Sequence, residues 1–498
     1  MLSINKLRAI AACVVLLFTG VIHGESQGNE DRILQLELAL KQLAEQNARL
    51  ASEVEDLKRS IHASSSSRST SVLDDAPRTA PPVDGVAKLS SSSSRQTVSS
   101  SAPVDPNELK LRFGNGLKFQ TADGETWKGE VGGRFHWDVS GYDEDRDVEA
   151  LVGDVNGGIE FRRLRLSSEG EFGLAAPLYY KVDVDFAGND SVMKDVYVGF
   201  KNLPLIGDIR LGHIKEPFSM EELGSSKHMG YAERASASEA LVPSRNNGVQ
   251  ISDTAFDDRM GWAAGWFAEV DQTNINEIDG NHHFTGRLFG VPYLSEDEQR
   301  PSMWHVGMAG SYANIQDDTS RHRARPEGHL APRLVDTGNF SADSYYLGGL
   351  ETAFVHGSFS VQAEYVHNQS NLVGGGNADF AGWYAYGSWF LTGESRVDAY
   401  KPKLGFYDRI KPKRNFSITN GGLGAWELIL RYSNLDLNDG SIMGGEMDVV
   451  TAGLNWYLSP SVRAIFNYGI AYVERNDSQG ILRDGAVDMA QFRFLVNF

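Results

Sequence analysis

Seven cations fall between positions 396 and 414: Arg396, Lys401, Lys403, Arg409, Lys411, Lys413 and Arg414, against only Asp398 and Asp408. The chain as a whole carries a formal net charge of −19, so this segment stands apart. Cations held close together attract small anions. Left in water, the same run is a solvated loop or a face for lipopolysaccharide phosphates. Arg163 and Arg165 alternate with Leu164 and Leu166, which puts both guanidinium groups on one side of a strand. Asp183 and Asp185 are the carboxylates able to neutralise them. Lys215, Lys227, Arg234 and Arg245 are interleaved with Glu216, Glu221, Glu222, Glu233 and Glu239. Arg321, His322, Arg323, Arg325, His329 and Arg333 form a further basic stretch between strand candidates, read as an external loop that draws anions in or is simply solvated. Asp143, Glu144, Asp145 and Asp147 have calcium-like spacing without the full loop pattern and read as a solvated turn. His305, His356 and His367 have no nucleophilic Ser motif beside them. No catalytic residue, metal site or cofactor is expected. Selecting ions needs only a wet passage and charges that face it.

The elements that would position these charges alternate with a period of two. Tyr180, Val182, Val184 and Phe186 face one way, Lys181, Asp183 and Asp185 the other. Trp426, Leu428, Leu430 and Tyr432 alternate with Glu427 and Arg431, and Val462 to Tyr472 with Arg463 and Asn467. Runs of about ten residues suit strands tilted across a bilayer. The chain stops on such a strand, with Phe492, Phe494, Val496 and Phe498 on one face. The expectation is an all-β fold: a transmembrane antiparallel β-barrel of about sixteen strands between Glu130 and Phe498. Trp262, Trp266, Trp304, Trp383, Trp389, Trp426 and Trp456 fit its interfacial girdles. No stretch is long and apolar enough for a spanning helix. The acidic balance argues against nucleic acid as a partner.

Ahead of the barrel the composition changes three times. Residues 1–24 read as a signal peptide, with Lys6 and Arg8 before the apolar run Ala9–Ile22. Cys13, the only cysteine, lies inside it, which leaves the mature chain without a thiol. Residues 31–62 carry a heptad repeat: Ile33, Leu40, Asn47, Val54 and Ile61 in one row, Leu36, Leu43, Leu50 and Leu57 in the other. This predicts a coiled coil, with branched residues facing leucines in the pattern that favours two strands. Residues 63–106 are Ser- and Pro-rich and form a linker with too little apolar surface to fold. The barrel domain is placed at 111–498.

The stretch from Arg210 to Ser252 has strand-like ends and some thirty residues between them without alternation, read as a long loop folded into the pore. Its motifs are Gly212, Lys215, Pro217, Phe218; Leu223, Ser225, Ser226; Tyr231, Glu233, Arg234; Pro243, Arg245; and Gly248, Val249. With Ser388 to Arg396, which reads SWFLTGESR, they resemble the phosphate-selective porin O and P family. The resemblance implies a homotrimer in the outer membrane of a Gram-negative-type bacterium that passes inorganic phosphate, polyphosphate or other small anions by diffusion, without enzymatic activity. It implies that Lys401, Lys403, Lys411 and Lys413 supply anion ligands. Arg163 and Arg165 resemble a ladder of arginines leading to the constriction. Lys227, Arg234 and Arg245 lie in the loop motifs, where Glu233 pairing with Arg234 is the alternative. A trimer disagrees with the two-stranded heptad signal, and the barrel is given precedence. A general non-selective porin, or a structural anchor in outer-membrane lipid tethered to the cell wall through a periplasmic coiled coil, remain the other readings.

Overall fold

Along Ala425–Asp439 the side chains alternate between opposite environments. Leu428, Leu430 and Tyr432 are exposed, while Glu427, Arg431 and Ser433 are buried. A water-soluble core has the reverse arrangement. Hydrocarbon outside and hydrogen-bonding groups inside is what a strand needs when it faces lipid on one side and a polar lumen on the other. The computed structural model describes residues 108–114, 116–174, 177–188, 191–270, 280–295, 297 and 300–498. The signal peptide, coiled coil and linker read from the sequence lie outside the described residues.

A hairpin, β1 (Leu109–Phe113) and β2 (Leu117–Thr121), precedes the wall. The wall begins with β3 (Trp127–Glu144), β4 (Gly158–Phe172), β5 (Leu178–Asp185), β6 (Val192–Leu203), β7 (Gly207–Lys215), β8 (Arg245–Ala255), β9 (Met260–Ala268), β10 (His282–Ser295) and β11 (Ser302–Asn314). A two-residue ribbon, β12 (Arg323–Ala324) with β13 (Val335–Asp336), stands in the following loop. The wall resumes with β14 (Ala342–His356), β15 (Phe359–Leu372) and β16 (Asn377–Phe390). A second ribbon, β17 (Tyr400–Lys401) with β18 (Phe406–Tyr407), precedes β19 (Ala425–Asp439), β20 (Ile442–Ser459), β21 (Val462–Asn476) and β22 (Leu482–Asn497). Each wall strand pairs antiparallel with the next, and β22 pairs back onto β3 from Val487↔Glu144 to Asn497↔Arg134. That closes sixteen strands into a barrel with no free edge.

The first expected barrel segment differs in one respect. Residues from Leu111 alternate, but they form the hairpin and not the wall. β2 takes up pairing with β3 at Leu117↔Val131 to Gln120↔Lys128, beyond the point where β22 ends. The hairpin therefore lengthens the sheet past the barrel rim.

The two ends of the barrel are unequal. Turns at 204–206, 357–358 and 460–461 are short; at the other end the connections 216–244 and 315–341 are long. Segment 391–424 is an exception, a long connection at the short-turn end. Short helices occupy the loops: α1 (Arg146–Val152), α2 (Met220–Leu223) and α3 (Ser236–Leu241). Asp145, in the acidic run read as a turn, caps α1 by accepting from the Asp147 and Val148 amides.

At the closing seam Gly133 meets the last residue, Phe498. The Gly133 amide donates to the Phe498 carbonyl at 2.7 Å, and the Phe498 amide donates back at 3.1 Å. A Cβ on Gly133 would lie 2.6 Å from both the Arg165 carbonyl oxygen and the Phe498 ring. Gly133→Val is expected to cost at least about 1–3 kcal/mol through overpacking at the seam. The check is the heat-shifted folded band on unheated SDS gels, which should weaken. A band as heat-resistant as wild type would show that the seam tolerates the side chain.

Candidate functional site

The loop 216–244 leaves β7, crosses the lumen and returns to β8. At its root Glu216 is fully buried and accepts from Asn246 at 2.6 Å, with His283 Nδ1 at 2.7 Å and the Thr285 hydroxyl also bonded to it. Phe218, fully buried, packs over Gly349, where a Cβ would lie 2.8 Å from its ring. The amides of Met220 and Glu221 donate to Glu364 on β15 at 3.1 and 2.7 Å. The absence of strand alternation that marked this stretch in the sequence corresponds to α2, α3 and irregular chain. Phe218, Met220, Met229, Tyr231 and Leu241 are buried, as packing would require.

The far part of the loop is fixed by side chains from the opposite wall. Arg463 donates to the Met229 carbonyl, and Asn455 to that of Gly230 at 2.9 Å. Asn467 accepts from the Ala232 amide at 2.9 Å, and Arg493 donates to the Ala232 carbonyl. Arg431 donates to the Glu233 carbonyl at 3.2 Å, stacks on Tyr231 at 4.1 Å and pairs with Glu327 of the loop 315–341. Glu233 receives Arg162 through two bonds of 2.8 and 3.0 Å and Arg493 at 2.7 Å, with Arg163 at 3.7 Å. Burial opposes the Glu233 charge, but these three guanidinium groups outweigh it and hold the carboxyl well below the usual range.

Several sequence expectations change here. Arg234 does not pair with Glu233. It bonds Glu222 at 3.0 Å and the carbonyls of Glu221, Glu222 and Gly224, so it folds the loop on itself. Arg245 is committed to Asp195 at 2.7 Å. Arg165 pairs with Asp185 at 2.7 Å, as the alternative reading of the ladder foresaw, whereas Arg163 turns to the loop. Arg396 is buried against Glu427 among the rings of Tyr386, Phe390 and Tyr407, and anchors segment 391–424. The basic stretch from Arg321 to Arg333 is not bare: Arg321 meets Asp336, Arg325 meets Glu239 at 3.0 Å and His329 meets Glu160 at 2.8 Å.

Between the loop and strands β3–β9 a cavity of about 850 Å³ remains. Twelve Lys and Arg side chains line it, against five Asp and Glu. Arg163, Arg165, Arg234 and Arg245 are among them. Of the four lysines expected from segment 391–424, only Lys403 lines it. Lys401 pairs with Asp408 at 3.2 Å, and Lys411 and Lys413 are exposed outside it. Lys227 lines a second, smaller pocket with Arg409 and Arg463, near enough to the main cavity that the charges of Arg134 and Lys181 add to burial in lowering its pKa to about 8. Lys118, Lys128, Arg134, Lys181, Lys201 and Arg210, none of them a site candidate from the sequence, complete the cationic lining together with Lys215 of the loop motifs. Arg134 could have been found, since it sits among Phe135 and Trp137 on the opposite phase of β3. Arg134 donates to the Ser226 hydroxyl at 2.8 Å and to Asp183 at 3.1 Å, while its Nε makes no hydrogen bond to the described residues. Arg163 Nε and Nη1 are likewise unbonded. Buried donors without acceptors are costly, so such atoms suit a place where an anion arrives.

The model of the family described as phosphate-selective porin O and P matches residues 130–498. The chain belongs to this family. It is an outer-membrane porin, and its barrel is the matched segment. An uncharacterised protein of Caulobacter vibrioides is 26% identical over 519 residues, covering 99% of this porin and 96% of the relative. Porin O of Pseudomonas aeruginosa is 24% identical over 441 residues, covering 80% of this porin and 96% of the relative. Among solved structures, the outer-membrane protein OmpT of Vibrio cholerae superposes with a TM-score of 0.49 at 10% identity, over 75% of this chain and 98% of that one.

The loop's attachment to the porin wall is testable at Glu233. Glu233→Gln strips the counter-charge from Arg162 and Arg163 and leaves Arg493 only Asp138, a loss of about 3–5 kcal/mol for a broken buried pair. Thermal stability is expected to fall, and single-channel conductance to rise and become noisier as the loop leaves the wall. Unchanged conductance and melting would mean that other contacts hold the loop.

Proposed function

We propose that this porin conducts small anions by passive diffusion, with phosphate and polyphosphates as preferred solutes, and that it works as a homotrimer. The observation that carries this reading is the cavity lining, strongly cationic in a chain with 66 acidic and 47 basic residues. A low-dielectric wall focuses such a field, so local charge and not net charge sets which ions enter. The unbonded nitrogens of Arg134, which also holds Ser226, and of Arg163 support an oxyanion, because a planar guanidinium suits tetrahedral oxygens. The family description and the Porin O relative support phosphate in particular. On this reading Arg163, Arg165 and Lys403 face the path. Arg234 and Arg245 shape it, and Lys401, Lys411 and Lys413 lie toward its periplasmic exit. The short-turn end is placed in the periplasm, the usual arrangement of such barrels.

Reversal potentials in planar bilayers under a potassium chloride gradient test the assignment. Lys403→Glu and Arg163→Glu are each expected to lower the anion-to-cation permeability ratio several-fold, with Lys411→Glu and Lys413→Glu changing it less. Wild-type protein with no anion preference would favour a general porin.

Lys227 gives a pH signature. Burial, with Arg134 and Lys181 nearby, holds its pKa at about 8. It is charged below that value and neutral above it. Anion preference should therefore fall as pH rises from about 7 to 9, and Lys227→Met should remove that dependence. A pH-independent wild type over this window would place Lys227 off the path.

A further inference from the structure

Not every part of the cavity lining is suited to a bare inorganic ion. On the wall formed by β5–β8, toward the short-turn end, Arg210 stands directly across from Gln250 in the strand register. Arg210 makes no ion pair with the described residues and lies over the Tyr197 ring at 5.7 Å. Its Nε is buried and unbonded. Gln250 is 5% exposed, lines the same cavity, and its Oε1 also has no hydrogen-bond partner. Tyr179 and Tyr197 meet edge to face, with ring centroids 6.0 Å apart, and Lys201 sits over Tyr179 at 4.9 Å. Leu404 and Phe406 from segment 391–424 line the cavity as well.

The groups have different requirements. The Arg210 guanidinium, with its Nε unbonded, takes an anionic oxygen, and Lys201, shared with Glu171 at 2.8 Å, adds positive charge beside Tyr179. A buried amide oxygen needs a donor: inorganic phosphate near neutral pH has only its own P–OH, on the same centre whose oxygens face Arg210, whereas a hydroxylated ester carries donors along its carbon skeleton. Aromatic and apolar surface contributes nothing to a small hydrated ion, but it favours the hydrocarbon faces of an organic group. A volume near 850 Å³ is in the range of organic-ligand sites and far exceeds one phosphate.

We propose that this porin has a subsite for phosphate monoesters of hydroxylated organic groups, sugar phosphates in kind. The phosphate lies on Arg210 and Lys201, a hydroxyl donates to Gln250 Oε1, and the carbon skeleton rests on the edges of Tyr179 and Tyr197. The proposal rests on the anion-conducting reading and names a solute class for the same cavity.

The test uses the full-length porin in planar bilayers. Half-blocking concentrations of chloride current are measured for glucose 6-phosphate, inorganic phosphate and glucose. In wild type, glucose 6-phosphate should block at a several-fold lower concentration than inorganic phosphate, and glucose should not block. Gln250→Met keeps the side chain's length without its acceptor. It should raise the half-blocking concentration of glucose 6-phosphate about three- to tenfold, the size of one lost hydrogen bond, and leave that of inorganic phosphate in place. Tyr197→Leu should act in the same direction, and the heat-shifted band verifies that each variant folds. Equal blocking by the two phosphates in wild type, or equal change for both in the variants, overturns the subsite. If the wild-type current also lacks anion preference, the conducting reading itself fails; if the preference stands, only the subsite does.

Discussion

The channel depends on how the loop 216–244 is tied to the far wall. Glu233 sits among Arg162, Arg163 and Arg493, and Arg431 joins Glu233 to Glu327. Such pairs contribute little net stability, since dehydrating the ions offsets much of their attraction. Their value is positional. Each arginine carries several donors in a fixed fork, so one side chain fixes carboxylate and carbonyl groups of the loop together. A loop held only by apolar contacts could slide along a lumen that offers few of them. Held at Met229, Gly230, Ala232 and Glu233 in sequence, it has one place to lie.

That attachment divides the lumen. Arginines on β19, β21 and β22 are consumed in holding the loop, so their charge is spent on protein groups. On the β3–β8 side the balance differs. Arg165 and Arg245 are paired, while Arg134, Arg163 and Arg210 line the cavity with guanidinium nitrogens unbonded; Arg431 and Arg463 also keep an unbonded Nε, but their other nitrogens hold the loop and they do not line that cavity. The same residue type therefore does two jobs, separated by which side of the barrel it stands on. In segment 391–424 Lys401 and Arg396 are both spent on protein groups, one paired with Asp408 and the other with Glu427 under aromatic rings, while Lys403 lines the cavity.

The barrel was legible in the sequence because a lipid face and a wet face impose a period of two on every strand, and because the terminal Phe498 marks the closing strand. The inward loop was legible for the opposite reason: alternation stops between β7 and β8 while apolar residues such as Phe218 and Tyr231 persist. The roles of single cations were much less so. Nothing local distinguishes Arg234, which caps carbonyls of its own loop, from Arg163, which meets the cavity. The difference lies in partners more than sixty residues away, such as Glu233 for Arg162 and Arg163. A cluster in sequence also need not stay together, as Lys403 shows by lining the cavity while Lys411 and Lys413 do not.

Net charge misleads in the same way. Many of the acidic residues behind the value of −19 never meet the lumen. Glu446, Glu474 and Asp484 stand in one register row on neighbouring strands, exposed on the outer wall toward the long-loop end. Like charges so placed repel across strands, but water at that level screens them within about 8–10 Å. An ion in the cavity lies behind the wall and close to Arg134, Arg163 and Arg210. Distance and screening weaken the outer carboxylates while low-dielectric confinement strengthens the inner cations. An acidic protein can therefore present a cationic path, and it is placement across the thickness of a single strand that decides the sign.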